Sequence, residues 1–443
     1  MGTHRLLENL SHISPEQAER LFGNECLLNP PDPAVTLAPV RRVAIFAEAF
    51  LPKVDGVSKT AFLTMRYLQQ TGREVLVFAP DIAVQSVGKT KVIPLPSLGM
   101  PSAPETRIAL PHPSVAQHLN AFQPELIHLF NPALLSWSGI AIGRQNRIPI
   151  IANYQTDLPA YAHHYGYPFL SNLIREYLRR THNACHLTLA PSNWTIDELH
   201  REGYHRLRRW SRGVNSQHFH PARRSDAMRQ RLLNGRDPAS LLCIYVGRLA
   251  NEKRIDLLLE TARTPGIALT IIGDGARRTE LEAQFAGTDT HFTGYLFGDE
   301  LAQAYASADV FMFTGMSETF GQVVQEAMAS GLPSIIVNQG GIVDLVEQGV
   351  EGFLCPPDPA AFASAAAALR DDPVLRARMG YNARQRAEAS PWEVVMAQLE
   401  GFYSEAVRMN DRSNRLHPPA PGILARLVQR GAPPARTMYD RVS

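Results

Sequence analysis

The chain has 443 residues, a formal net charge of +2 at pH 7 and four cysteines. This length is typical of two or three domains with sizeable cores, and the near-neutral charge gives no support for a nucleic-acid partner. The cysteines are far apart and form no C-x-x-C pair, which argues against a zinc site or a disulfide framework. No apolar run approaches the roughly 18 residues of a membrane span, and the polar start MGTHRLLENLSH does not resemble a signal peptide. We therefore expect a cytoplasmic protein, either soluble or attached peripherally to a membrane.

Residues 1–40 precede the repeating part of the chain. Residues 14–22 carry a helix-capping pattern, and several prolines between positions 30 and 39 predict an extended linker. This segment is an N-terminal extension to which the sequence assigns no function.

Short apolar strands then alternate with amphipathic helical patterns. The predicted strands form two series, 43–46, 74–80, 126–130, 148–153 and 187–191, and then 241–247, 268–273, 291–294, 309–313 and 334–337. Such alternation implies parallel sheets with helices on both faces. Two series of similar length predict an α/β protein with Rossmann-like domains at residues 41–215 and 216–390. Ligands of such sheets bind at the carboxyl ends of the strands, so the cleft between the domains is the expected site.

The C-terminal part of the chain departs from this alternation. Pro391-Trp392 predicts the start of a final helix over residues 391–409. Residues 410–443 carry prolines and arginines without a core pattern, and they predict a flexible tail with one short helix at 423–429.

The stretch 314–331, TGMSETFGQVVQEAMASG, joins a predicted buried strand to a predicted helix. The residues that begin this helix, among them Phe320 and Gly321, have backbone N–H groups without a partner inside it, and such a terminus attracts phosphate. Glu318 lies before the helix and Glu326 within it, where each carboxylate can bind a polyol by its hydroxyl groups. Together these features suggest a sugar, a diphosphate and a ribose. Two glutamates at this spacing also occur on ordinary solvated helices, so the surrounding sequence decides between the interpretations.

That surrounding sequence resembles the E-x7-E motif of glycosyltransferase family 4. The match includes S-E-T-F-G-x5-E-A-M-A-x-G-x-P and the following Gly340-Gly341, and the resemblance extends over about residues 41–406. It implies the GT-B architecture, in which two Rossmann-like domains face a central cleft and the final helix crosses back onto the first domain. It further implies that Glu318 contacts the donor sugar, that the helix start holds the diphosphate, and that Glu326 holds the nucleotide ribose.

The segment 246–254 contains the family pattern G-R-x4-K directly after the first predicted strand of the second domain. The resemblance places Arg248 and Lys253 on the donor diphosphate, whereas the alternative is two solvated bases on a loop. Fixed cations can stabilise the charge that a departing nucleoside diphosphate gathers, without a metal ion. We therefore expect no metal and no cofactor, with the nucleoside-diphosphate sugar as co-substrate.

Three glycine or aromatic positions complete the donor side. Gly56 lies between a predicted strand and a predicted helix, where many relatives have a Gly-Gly pair and this chain has Asp55-Gly56. The surrounding sequence lacks the G-x-G-x-x-G and Walker patterns, which argues against dinucleotide and P-loop sites. Gly275 and Tyr295 each follow a later predicted strand, and in the family the region of Tyr295 lines the nucleobase.

On the acceptor side, His128 lies at the end of one predicted strand, and the sequence Gln155-Thr156-Asp157 follows the next predicted strand. A histidine on an apolar strand also has a structural interpretation. Many relatives have histidine where this chain has Gln155, and glutamine can donate a hydrogen bond but cannot act as an acid or base at neutral pH. Asp157 is therefore the nearest candidate for polarising the acceptor hydroxyl, with Thr156 beside it.

The stretch 161–182 begins at Tyr161, a further acceptor-side candidate, and mixes aromatic residues with arginines. Such a helix fits an anionic membrane interface, and a solvated amphipathic helix is the equal alternative. The pattern Y-Q-T-D-x-x-x-Y-A at 154–162 resembles bacterial lipid- or polyprenol-linked mannosyl- and glucosyltransferases. W-x2-G-V-N at 210–215 resembles the plant and cyanobacterial sulfoquinovosyl transferases. The expected acceptor is a membrane lipid or glycolipid, reached by peripheral attachment to the inner face of the plasma membrane.

The expected activity is retaining transfer of a hexose from a UDP- or GDP-linked sugar to a hydroxyl group. The alternatives are transfer to a soluble or polysaccharide acceptor, and an inactive GT-B protein that binds sugars or supports a partner enzyme. A nucleotide-sugar epimerase is a further alternative, which would need its own acid and base residues. The joint presence of the two glutamates, the arginine and the lysine of the donor motifs argues against an inactive protein.

Overall fold

The computed structural model describes residues 12–14, 17–18, 28–53, 55–81, 84–100, 103–159, 168–288 and 290–416. The strands up to residue 209 are β1 (His12–Ile13), β2 (Arg42–Ala47), β3 (Glu74–Pro80), β4 (Ser86–Val87), β5 (Thr90–Leu95), β6 (Ser97–Met100), β7 (Ala103–Ala109), β8 (Leu126–Phe130), β9 (Ile150–Asn153), β10 (Leu187–Ala190) and β11 (Leu207–Arg209). The helices of this part are α1 (Gly56–Gln70), α2 (Ser114–Phe122), α3 (Leu134–Gln145), α4 (Pro168–Asn183) and α5 (Asn193–Arg201).

The first domain is built on a nine-stranded sheet in the order β1-β4-β5-β3-β2-β8-β9-β10-β11. Most neighbours are parallel, β4 and β5 pair antiparallel, and β6 and β7 form a separate antiparallel pair. The chain extends from β2 through β3 to one side and later places β8 on the other side of β2. The strand order therefore reverses between β2 and β8, and a ligand crevice is expected outside the carboxyl ends of these two strands.

The second domain contains β12 (Leu241–Val246), β13 (Ile267–Ile272), β14 (His291–Gly294), β15 (Val310–Phe313), β16 (Ser334–Val337) and β17 (Gly352–Cys355). Its helices are α6 (Asp226–Leu233), α7 (Leu259–Arg263), α8 (Arg278–Gln284), α9 (Gly298–Ser307), α10 (Gln322–Ala329), α11 (Pro359–Asp371) and α12 (Pro373–Glu388). The six strands are parallel in the order β14-β13-β12-β15-β16-β17, so this order reverses between β12 and β15. β12 is buried along its whole length, as expected for a strand that helices cover on both faces.

The last helix, α13 (Trp392–Leu416), returns from the second domain to the first. Its apolar face, which includes Trp392, Met396 and Tyr403, is buried in one core with β2 and α1. Arg73 and Glu400 fix this contact through two parallel hydrogen bonds of 2.8 and 2.6 Å, with both side chains almost fully buried. The helix continues beyond the predicted end at residue 409.

The long apolar strands lie where the sequence predicts them, with bounds that agree to within two residues. The sequence did not predict the two-residue strands, the β6–β7 pair, β5, β11 and β17. The two-residue strands and β11 are too short to show periodicity, and β5 contains Pro94, which argues against a central strand. Most of the predicted helix at 14–22 and all of the one at 423–429 lie outside the described residues.

Candidate functional site

The loop between β15 and α10 holds the candidate donor site. Gly321 precedes α10 with φ of 90°, and a Cβ at this position would lie 2.4 Å from the Cγ2 atom of Ile342. Glycine is therefore required here both by the left-handed backbone and by the packing. Phe320 is buried beside it, and no side chain caps the start of α10. The N–H of Val324 donates to the carbonyl oxygen of Gly321 at 3.0 Å, so the N–H groups of Gln322 and Val323 are the ones at the start of α10 that can bind another partner.

Glu318 is held next to Lys253 by contacts from both of their loops. The backbone N–H of Gly341 donates to the carbonyl oxygen of Glu318 at 2.6 Å, which ties the loop before α10 to the turn after β16. The hydroxyl group of Thr314 donates to the carbonyl oxygen of Lys253 at 2.7 Å. Lys253 Nζ and Glu318 Oε1 form an ion pair that is mostly buried. The structure thus brings two of the predicted donor residues into direct contact.

Arg248 lies on the same side of the site, directly after β12. Its guanidinium donates to Glu252 at 2.7 Å and is half-exposed. A Cβ at Gly275 would lie 2.4 Å from the carbonyl oxygen of Leu249, so this glycine allows the loop after β13 to pack on the loop of Arg248. The structural reason for Gly275 is therefore close backbone packing.

Tyr295 follows β14 and lies at the rim of this site. Its ring is about half exposed and stacks on Phe297 with 5.6 Å between the ring centroids. Its hydroxyl group donates to the carbonyl oxygen of Asp274 at 2.8 Å. An exposed aromatic pair of this kind can provide a flat surface for a nucleobase.

Glu326 makes a contact with the first domain that the sequence did not predict. Its Oε1 atom lies 3.7 Å from Nζ of Lys59 in α1, and both side chains are nearly buried. The hydroxyl group of Tyr305 donates to its other oxygen at 3.4 Å. Lys59 lies three residues after Gly56, in the first turn of α1. A positive charge is unfavourable near the N-terminus of a helix, because the helix dipole is positive there. A lysine at such a position could therefore have been recognised in the sequence as a candidate functional residue.

Gly56 is the first residue of α1 and is exposed. Asp55 caps the helix by accepting from the N–H groups of Val57 and Ser58, at 3.0 and 2.8 Å. A Cβ at Gly56 would meet nothing within 4 Å, so the surrounding protein does not require glycine here.

The loop 155–157 follows β9 and meets the donor loop across the domain boundary. The hydroxyl group of Thr319 donates to the carbonyl oxygen of Gln155 at 2.7 Å. The N–H of Thr156 donates to Oδ1 of Asn131 at 3.1 Å, which fixes this loop to the end of β8. The structure therefore joins the predicted donor side and acceptor side through a hydrogen bond from a side-chain hydroxyl group to a backbone carbonyl oxygen.

Asp157 is half-buried and adds negative charge to this part of the first domain. The pKa of Glu198 is raised by burial and then by the charge of Asp157. Burial, followed by the same carboxylate, raises the pKa of the Tyr154 hydroxyl group. Tyr161, the other acceptor-side candidate, lies outside the described residues.

His128 has the structural role that the sequence left as an alternative. The ring is fully buried, with Nδ1 2.9 Å from the hydroxyl group of Tyr403 in α13 and Nε2 3.0 Å from Oδ1 of Asn153. Burial lowers the pKa of its imidazole to about 4, so the ring is neutral at pH 7. Both nitrogens are occupied by protein partners, and His128 joins β8 to the C-terminal helix.

The arginines of α4 are less available than the sequence suggested. Arg175 pairs with Glu202 at 2.9 Å, and Arg179 and Arg180 both pair with Glu176, at 2.7 and 2.5 Å. The basic surface of this helix is therefore partly neutralised. Among the described helices, none is both long enough and apolar enough to cross a bilayer.

Comparisons with known proteins match both domains. A model described as Glycosyltransferase Family 4 matches residues 54–218, and one described as Glycosyl transferases group 1 matches residues 229–386. A GDP-mannose-dependent alpha-mannosyltransferase of Mycobacterium tuberculosis is 39% identical, over 83% of this chain and 97% of the relative. Sulfoquinovosyl transferase SQD2 of Arabidopsis thaliana is 34% identical, over 86% of this chain and 77% of the relative.

The solved structure of sucrose-phosphate synthase from Thermosynechococcus elongatus is similar with a TM-score of 0.69. It covers 82% of this chain and 98% of that one at 22% identity, which shows the shared GT-B fold. Two family models match successive parts of the chain, and relatives above 30% identity match more than four fifths of it, so the chain belongs to glycosyltransferase family 4.

Proposed function

We propose that this protein transfers mannose from GDP-mannose to a hydroxyl group of a membrane lipid, with retention of configuration and without a metal ion. The observation that carries the proposal is the arrangement around the start of α10. There Glu318, the uncapped helix start and Glu326 lie along one loop and helix, and Lys253 from the loop after β12 pairs with Glu318. They provide a cation and N–H groups for a diphosphate, and carboxylates for a sugar and a ribose.

The geometry supports departure of the nucleoside diphosphate as the step that the protein assists. As the bond to the sugar breaks, negative charge gathers on the leaving phosphate, beside Lys253 and Arg248. Lys253 is largely buried, where a fixed charge acts more strongly than in water. In a retaining reaction of this kind, the acceptor hydroxyl attacks from the face that the diphosphate leaves, and the leaving phosphate takes the hydroxyl proton.

The choice of donor rests on the relatives. The alpha-mannosyltransferases from Mycobacterium tuberculosis, Corynebacterium glutamicum and Mycolicibacterium smegmatis are named as GDP-mannose-dependent and are 39%, 36% and 37% identical to this chain. Each match spans more than four fifths of the chain. GDP-mannose is therefore the proposed donor.

A lipid acceptor is supported by apolar side chains on the first domain. Trp137 in α3 and Leu173 in α4 are 49% and 66% exposed, and Leu134 is exposed at the start of α3. The hydroxyl group of Tyr177 donates to the carbonyl oxygen of Ala133 at 2.9 Å, which joins α4 to the start of α3. A relative from Acholeplasma laidlawii, 24% identical over 84% of the chain, is named alpha-monoglucosyldiacylglycerol synthase.

A transfer assay tests the proposed function. The full chain is incubated with diacylglycerol in mixed micelles and with either GDP-mannose or UDP-glucose. We expect a mannosylated lipid from GDP-mannose, with an α-linkage visible by NMR. Transfer from UDP-glucose alone, or formation of a β-linked product, would contradict the proposed donor or the proposed stereochemistry.

Replacing Glu326 by alanine is expected to weaken GDP binding by roughly 1.5–3 kcal/mol, because the ribose hydroxyl groups lose a charged acceptor. Calorimetry with GDP and UDP measures the change. The Glu318→Gln variant serves as the comparison, since it is expected to lower turnover more than nucleotide affinity. An unchanged GDP affinity in the Glu326→Ala variant would remove Glu326 from the site.

Mannosyl transfer is expected to continue in excess EDTA. Arg248 and Lys253 lie where a metal ion would otherwise stabilise the diphosphate. The rate of transfer with and without chelator is the measurement. Loss of activity that magnesium or manganese restores would show that the reaction depends on a metal.

The wild-type chain is expected to sediment with lipid vesicles. Trp137→Ala is expected to lower the bound fraction about threefold to tenfold, because the variant loses exposed apolar area that contacts the lipid. Salt should reduce binding only partly, since the arginines of α4 have carboxylate partners. Tyr381→Ala is the matched control, because Tyr381 is an exposed aromatic residue of the second domain. Negligible wild-type binding to anionic and neutral vesicles, with transfer to a water-soluble acceptor, would leave the lipid proposal without support.

A further inference from the structure

Glu48 lies at the point of the first sheet where the strand order reverses. It directly follows β2, and its carboxyl group reaches the loop and helix that follow β8. These two strands border the crevice in which sheets of this kind bind their ligands. Glu48 therefore lies at the position in the first domain where a ligand-binding residue is expected.

The two oxygens of this carboxyl group have different surroundings. Oε1 accepts from the N–H of Ala133 at 2.8 Å, and from the N–H and the hydroxyl group of Ser136 at 3.2 Å each. These contacts cap α3, whose own N-cap residue provides no side-chain hydrogen bond. Oε2 is also buried, in a residue that is only 9% exposed, and it has no hydrogen-bond partner among the described residues.

Other buried polar atoms at the same edge of the sheet also have no partner. They are both amide atoms of the Gln155 side chain and Nδ2 of Asn153, at and just after the end of β9. β9 pairs with β8, which itself pairs with β2, so these residues belong to adjacent positions along one edge. Buried polar atoms in native proteins nearly always have a partner, and several without one at a single edge indicate a site for a polar ligand.

We propose that Glu48 is an acceptor-binding residue, whose Oε2 atom accepts a hydrogen bond from a hydroxyl group of the acceptor, beside the amide of Gln155. This assignment rests on the proposed function and identifies the first-domain group that holds the hydroxyl-bearing part of the acceptor. A capping role alone needs only Oε1, and a neutral side chain would serve it without burying a carboxyl group. Burial raises the pKa of Glu48 to about 7, so its charge changes within the range of an enzyme assay.

The test compares Glu48→Gln with Glu125→Gln in transfer from GDP-mannose to diacylglycerol in mixed micelles. Glutamine retains an oxygen for the N–H groups of Ala133 and Ser136, so the cap of α3 is kept. Glu125 is the matched control, because it lies at the opposite edge of the same sheet, pairs with Arg42 at 2.9 Å and also accepts from a backbone N–H. We expect kcat/KM for diacylglycerol to fall about tenfold to a hundredfold in the Glu48 variant only. GDP affinity, which depends on the second domain, should be unchanged.

The pH dependence provides a second readout that a capping role would not change. A carboxylate accepts a hydroxyl hydrogen bond more strongly than a neutral carboxyl group does. In the wild type, kcat/KM for diacylglycerol should therefore rise with pH through about 7 as Glu48 loses its proton. In Glu48→Gln this rise should be absent, and in Glu125→Gln it should remain.

Three outcomes would overturn the assignment. Wild-type acceptor kinetics and an unchanged pH profile in Glu48→Gln would show that Glu48 only caps α3. If thermal unfolding shows that this variant does not fold, Glu48→Asp decides the matter, because it keeps the charge and withdraws the oxygens by one methylene group. Unchanged acceptor kinetics in that variant would also contradict the assignment. If the wild-type protein transfers no mannose, the proposed function and the assignment of Glu48 are both wrong. If the wild type and all variants transfer mannose at the same rate, only the assignment of Glu48 is wrong.

Discussion

Replacing Lys253 by alanine is expected to lower kcat for the proposed mannosyl transfer by about a hundredfold to a thousandfold, the usual effect of removing one fixed group that stabilises charge in a transition state. Lys253 forms a largely buried ion pair with Glu318. Glu318 precedes α10, and the start of this helix faces the proposed diphosphate. Its loss also leaves the Glu318 carboxylate near the leaving phosphate without its cation. Both effects raise the energy of the departing diphosphate.

The neighbouring residue provides the control for this experiment. Arg254→Ala removes a positive charge one position along the chain, but that guanidinium pairs with Asp256 at 2.9 Å and is about 38% exposed. We expect kcat within about twofold of wild type for this variant, because exposed pairs contribute little. Single-turnover kinetics with GDP-mannose measure both rates. Equal rates for Lys253→Ala and Arg254→Ala would show that the charge of Lys253 is not used in the reaction.

Much of the fold could be predicted because the central strands are buried on both faces. Such strands are continuous apolar runs, and β3, β8 and β16 have the bounds that the sequence indicated. The donor motifs were also predictable, since Lys253 and Glu318 lie in local sequence patterns that resemble motifs of the family. What their sequence spacing did not show is that the two side chains form an ion pair.

The rest of the site depends on contacts between distant parts of the chain. Lys59 and Glu326 are far apart in sequence, and only the packing of the two domains brings them within 3.7 Å. The sequence indicates His128 as a candidate functional residue, whereas the structure shows its ring buried against Tyr403 of the C-terminal helix. Glu48 lies two residues after a predicted strand, but the role proposed for it depends on the order of β2 and β8 in the sheet, which alternation of strands and helices alone does not determine.

The largest expected effect on stability comes from Glu400. Its carboxylate accepts two hydrogen bonds from Arg73, at 2.8 and 2.6 Å, and a third from the N–H of Ala38 at 2.8 Å. Each side chain of the pair is only 3% exposed. Replacing Glu400 by alanine leaves the Arg73 guanidinium buried without a counter-charge, which costs about 3–5 kcal/mol. Calorimetric unfolding should show this as a large fall in Tm of the first domain.

Two further variants separate the buried charge from other effects of the substitution. Glu405→Ala removes a carboxylate from the same helix, where the partner Arg208 is half-exposed, and it should change stability by about 0–1 kcal/mol. The double variant Arg73→Met with Glu400→Leu removes both charges and keeps apolar volume, so it should recover most of the lost stability. If the double variant were as unstable as Glu400→Ala, the loss would come from packing. If it recovers, the C-terminal helix is held mainly by apolar burial, and the ion pair fixes where along the first domain that helix lies.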